Sequence, residues 1–473
     1  MAKSDPQRRL VINLRMILDI LEDQMRALRD LIDAITPYAS VLDESSVRFA
    51  GLRQIIRGIP RESMPKVRDI LSRAAEAKIR PAQAARELFE KFEGQGWNYE
   101  LIVALHEASM RQPRLPILRN SLLTAAVASF EATVANVATE FYHYRPEALE
   151  MDSRDHEKEF SLKELKQFSS IDDAVDFSIS RRIESLVFGG LSDWRCFFND
   201  ALKIDLSTLA IDWPELQEIL QRRHAIVHNG GRASRRYIAQ VRLGRPDVKI
   251  PEGEPLSCEQ EYLEYAIDHL LVAGALLITA VIIKFSPDDA PSSELSRLAY
   301  SLLRGGRLEA TRRLCDFGMN MPIEQDEALI FKVNMALAIK AKLGIEGIAE
   351  EMGSWDVSAL SDRFKLAKAS LLGNLDEAFM LLSLLVERDE ISVEDLLEWP
   401  LLAEMRKDRR FTALIIPKVD EAATGMSKTE FVVLNNHSGV IHKPGCRFAK
   451  SGTRVQVDEP DARNAGRCKI CWR

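Results

Sequence analysis

The run Leu-Leu-Val-Ala-Gly-Ala-Leu-Leu-Ile-Thr-Ala-Val-Ile-Ile, residues 270–283, holds fourteen residues without a charge. A membrane span needs roughly 18–20 such residues, so this run predicts a helix buried on all sides in a protein core. Such a helix must be surrounded by partners of its own kind, and the chain supplies them. Residues 118–141 place Leu118, Leu122, Phe130, Val134, Val137 and Phe141 at helical spacing. Residues 8–36 place Leu14, Leu18, Leu21, Met25, Leu28, Ile32 and Ile35 at alternating steps of four and three, a heptad seam. That seam predicts a helix packed inside its own domain or a contact between two copies.

The expected fold class is therefore mostly α, in four segments. Residues 1–116 read as an N-terminal helical region broken by prolines at 60, 65, 81, 113 and 116. Residues 117–286 read as a helical bundle, and 286–294, rich in Ser, Pro and Asp, as a linker. Residues 294–418 hold a repeat: LLRGGRLEA at 302–310 returns as LLGNLDEA at 371–378, with Ala310 and Ala378 68 residues apart. That is twice 34, so the segment resembles tetratricopeptide helical arrays, which bind protein partners more often than they carry chemistry. Residues 430–473 open with β-branched and aromatic residues and predict a small α/β module.

At 473 residues, 46% hydrophobic and 29% charged, the composition is that of a globular protein. The net charge of −7 excludes a polyanion binder acting by bulk charge. Locally the balance reverses, with an excess of about seven positive charges over 222–250 and about five over 443–473. MAKSDPQRRL is not a secretory leader, and three of the six cysteines crowd the C-terminus while the others are isolated. The expectation is a reduced, cytoplasmic protein with no membrane association.

The chemistry concentrates in RRHAIVHNGG, residues 222–231. Leu216, Ile219, Leu220, Ile226 and Val227 mark the packing positions of a helix that Gly230 and Gly231 terminate. His224 and His228, four residues apart, share a face, while Arg223 lies about 140° round from His228. A guanidinium neutralises phosphate charge in a bidentate way and an imidazole moves a proton near neutral pH. Arg223 with His228, in a helical bundle and with Tyr237 soon after, resembles the R-x4-H signature of HEPN domains over residues 117–286. The resemblance implies a homodimer in which two motifs share one cleft, and a metal-independent endoribonuclease that uses the RNA 2′-hydroxyl and leaves a cyclic phosphate. Toxins and antiviral effectors are among its kin. It assigns Arg223 and His228 as the catalytic pair, His224 and Asn229 as polar support, and Glu131 as an orienting residue. Three plainer readings compete: a metal pair, which lacks the glutamate of H-E-x-x-H; a structural His228 capping carbonyls; and a HEPN relative without activity, serving as a scaffold for nucleic acid or protein.

At the C-terminus His442 and Cys446 face Cys468 and Cys471 across a 21-residue loop, a donor set and spacing that suit structural zinc. His437 is a substitute ligand at a less apt spacing. So short a segment needs such a staple to fold. HKPGCRFAK and DARNAGRCKIC resemble the metal-binding module of Ada-type DNA repair proteins. There the first ligand is a cysteine that accepts a methyl group. Histidine stands in its place here, so the resemblance implies a structural or nucleic-acid-contacting module, with a DNA-repair factor as the remaining alternative.

Overall fold

The computed structural model describes residues 5–43, 55–75, 81–110, 113–149, 160, 162–423 and, in the C-terminal module, 431–435, 440–443, 446, 452–456, 466–468 and 471. The fold is mostly α, with one small sheet at the C-terminal end. Two compact units divide the chain, residues 1–291 and 292–473.

In the first unit, helix α1 (Pro6–Asp43) runs on through Pro37, beyond the end its heptad pattern suggested. It packs on α5 (Arg114–Tyr144) and on α9 (Gln260–Phe285). Leu14, Leu18, Leu21, Met25, Leu28 and Ile32 are buried, so the seam is satisfied within the chain as far as Ile32, whereas Ile35, expected to continue it, is exposed. The predicted N-terminal region therefore splits: α1 belongs to the bundle, while α2 (Met64–Ala75), α3 (Pro81–Lys91) and α4 (Gly96–Met110) enclose a separate core of Val67, Ile70, Ala84, Leu88, Phe92 and Leu101. The prolines explain the breaks. Pro81 opens α3, and Pro65 lies in the first turn of α2, where the missing N–H costs nothing.

The apolar run extends into the 26-residue α9, because the polar turns before it also favour helix. By length and composition alone, α5 and α9 are long and apolar enough to cross a membrane, yet 83% of α9's most apolar window is buried against the chain itself. Close approach is achieved at Gly274, where a Cβ would collide with Leu21. Around this centre lie α6 (Ile171–Cys196), bent at Gly190 with φ 68°, α7 (Trp213–His228) and α8 (Arg235–Gly244).

In the second unit, α10 (Ser292–Arg304) and α11 (Leu308–Met319) form one hairpin, and α13 (Asp362–Leu371) and α14 (Leu375–Glu387) another, with α12 (Gln325–Leu343) between. Gly306 and Gly373 take φ of 71° and 77° at equivalent turns, and the second helices begin at Leu308 and Leu375. The structural repeat is thus 67 residues, one fewer than the alanine spacing indicated. The buried Thr311, not Ala310, occupies the place of Ala378.

Among the described residues the C-terminal module holds four short strands, β1 (Phe431–Asn435), β2 (Val440–His442), β3 (Gly452–Gln456) and β4 (Gly466–Arg467), in the order β3-β1-β2-β4. β1 runs antiparallel to both neighbours, whereas β2 and β4 are parallel.

Candidate active site and metal centre

Helix α7 is fixed at both ends. Asp212 caps its start by accepting from the Glu215 N–H at 3.0 Å. At its end the Asn229 and Gly231 N–H groups both bond to the Ala225 carbonyl, at 2.8 and 3.0 Å, with Gly230 and Gly231 at φ 60° and 72°. Only glycine adopts that pair of left-handed conformations without strain, so the helix stops just past His228.

The motif splits into two pairs. His224 and His228 lie side by side, their ring centroids 4.5 Å apart and their planes tilted by 47°. Arg223 turns inward and forms a short ion pair with Glu131 on α5. Among the described residues no hydrogen bond joins Arg223 to His228, so the expected catalytic couple is not assembled by direct contact. Glu131 therefore does engage the motif, through the arginine. Burial raises the Glu131 pKa and Arg223 pulls it back. The Arg223 Nε is buried without a partner among the described residues. His224 is held below the usual imidazole range, first by burial and then by His228, Arg236 and Arg223. His228 and Asn229 are exposed, and Asn229 serves the helix through its backbone. Val227, expected in the packing face, is half exposed, because the stripe rotates toward solvent in the last turn.

Below the histidines lies a network that sequence patterning does not reveal. Glu218, 5% exposed, accepts from Arg222 Nε at 2.7 Å, Tyr237 Oη at 2.7 Å and Tyr262 Oη at 2.6 Å. Arg222 also donates to the Ser257 carbonyl at 2.6 Å and lies 4.1 Å over the Tyr262 ring. A buried carboxylate with three donors is well satisfied, and burial followed by Glu218 drives the Tyr237 and Tyr262 pKa values up. Only the i,i+4 spacing of Glu218 and Arg222 was visible in the sequence; Tyr262 arrives from α9. Much of the basic run is also spent internally: Arg232 on the Gly253 carbonyl, Arg235 on Glu252, Arg242 on the Val248 carbonyl and Arg245 on Glu215. Arg236, whose charge helps hold the His224 pKa down, forms none of these bonds.

The metal centre is compact. The ligand atoms of His442, Cys446, Cys468 and Cys471 all lie within 4.8 Å of one another. Tetrahedral zinc with nitrogen and sulfur donors sets those separations at roughly 3.5–3.8 Å, and His442 Nδ1 to Cys446 Sγ is 3.4 Å. The Cys468 N–H bonds to the Ile441 carbonyl at 2.9 Å and the Lys443 N–H points at Cys471 Sγ at 3.3 Å. Among the described residues none of the three cysteines forms a disulfide. The cluster can hold a metal ion, by strand β2 on one side and the end of β4 on the other. His437 lies outside the described residues. No protein family, curated protein or solved structure matches this chain.

Proposed function

We propose that the chain is a metal-independent endoribonuclease of HEPN type, acting in the cytoplasm as a homodimer through its bundle, in a toxin or antiviral role. The observation that carries the reading is the close His224–His228 pair at the open end of a terminated helix, within the charge influence of Arg223 and Arg236. Cleavage joins the 2′-oxygen to phosphorus and expels the 5′-oxygen. His224, held toward its neutral form, suits removal of the hydroxyl proton, and exposed His228 returns one to the leaving oxygen. Arg223 exchanges Glu131 for the scissile phosphate, where its planar fork neutralises the added charge. The His442–Cys446–Cys468–Cys471 cluster holds zinc in a structural role, apart from this chemistry.

The test is purified protein and single-stranded RNA in excess EDTA. Products ending in 2′,3′-cyclic phosphate, absent with a 2′-deoxy residue at the cut site, support the reading. A second reading, a scaffold that binds nucleic acid or a protein partner without cutting, draws on the pairing of Arg223 with Glu131 and the internal bonds of the basic run. Tight RNA binding with every strand left intact establishes that reading in place of the first.

A further inference from the structure

The helical array of the second unit holds a half-open cavity of about 580 Å³ lined by α10, α12 and α13. Cavities of this size ordinarily take small molecules. Its walls carry four aromatic rings, Tyr300, Phe331, Phe364 and Trp399. Asn334, 4% exposed and midway along α12, lines it, and among the described residues no hydrogen bond is made by its amide. Ser296, 5% exposed, also lines the cavity, and among the described residues neither its hydroxyl nor the buried Nε of Arg363 has a partner. Polar groups buried without partners cost stability, and the two in the second unit among the described residues, Ser296 Oγ and Arg363 Nε, both line this cavity.

The walls define a ligand. An asparagine amide presents one donor and one acceptor in a plane, the complement of the N6/N7 edge of adenine. Aromatic rings add flat surfaces on which a heterocycle stacks. Charge argues against a polyphosphate. Asp326, Glu327 and Asp395 outnumber Arg297 and Arg363, and Arg363 already pairs with Asp395 at 3.3 Å. Glu327 accepts from Ser292 at 2.7 Å, which leaves Asp326 to accept hydroxyls such as those of a ribose. We infer that this cavity binds an uncharged purine nucleoside of adenine type, edge-on to Asn334 and stacked on the aromatic wall.

Calorimetric titration of the full chain with adenosine tests this. Saturable binding at one site per chain is expected, with a Kd of order 0.1 mM, ordinary for a ligand of that size. In Asn334→Leu the affinity is expected to fall at least tenfold while the thermal midpoint does not fall, because the lost amide had no protein partner. 7-Deazaadenosine, which lacks the N7 acceptor, is expected to bind about tenfold more weakly to the unaltered protein, a readout independent of any variant's folding. Failure of adenosine to bind at millimolar concentration overturns the inference. So does equal affinity in Asn334→Leu or for the deaza analogue. Saturable binding of a neutral tripeptide in adenosine's place assigns the cavity to peptide instead.

Discussion

At the scale of single residues, the proposed chemistry depends on Arg223 and His228 contributing different things. His228→Ala is expected to slow RNA cleavage by about 10²–10⁴-fold, the usual worth of a positioned acid–base group. Arg223→Lys is expected to fail as well, since an ammonium lacks the guanidinium fork. Single-turnover rates on a labelled RNA check both. His224 links the site to pH. Its folded pKa is depressed below the ordinary imidazole value, so the folded chain resists protonation that the unfolded chain accepts. Its contribution is harmless above about pH 6.5 and destabilising as pH falls through that value. Thermal midpoints are therefore expected to drop less between about pH 7.5 and 5.5 in His224→Asn than in the unaltered protein. The helix stop at Gly230–Gly231 and the shared histidine face were legible from spacing alone. The partner of Arg223 was legible only as a candidate, because Glu131 lies 92 positions away.

At the scale of elements, the seam of α1 marked its buried face without saying what covers it. Heptads specify which side is apolar, and only the tertiary structure selects α5 and α9 over a second copy. Gly274 is the point of closest approach. Gly274→Val is expected to lower stability by about 1–3 kcal/mol, as overpacking does, and Leu21→Ala in the same chain is expected to restore part of it; chemical denaturation of the single and double variants measures both. The repeat shows the opposite limit. Matching alanines suggested 68 residues, whereas the backbone counts from the turn glycines, Gly306 and Gly373, which must fall where φ is positive. In the C-terminal module, spacing alone grouped the four ligands. Cys468→Ser is expected to reduce bound zinc to background by elemental analysis; full retention of metal contradicts the four-ligand assignment.

At the scale of the whole molecule, the expected dimer governs activity, because one motif supplies half a cleft in the proposed enzyme. Sedimentation at micromolar concentration is expected to give twice the mass of one chain, with cleavage per chain falling on dilution as the dimer dissociates. Since α1's heptad seam is consumed internally, its substitution is expected to unfold the bundle before it alters association. The outer side of α1, with Ile12, Met16 and Ile20 partly exposed, is not part of that seam.

The bundle also has a history in time. α1 emerges from the ribosome before the helices it packs on, and one of them, α9, begins more than 200 residues later. At roughly 5–20 residues per second, α1 waits on the order of 10–40 s for that partner. α5 can cover one flank meanwhile; Leu21 has no Gly274 to receive it until synthesis passes that position. A nascent chain halted before α9 therefore offers a long apolar stripe to chaperones, and a chain halted after it does not.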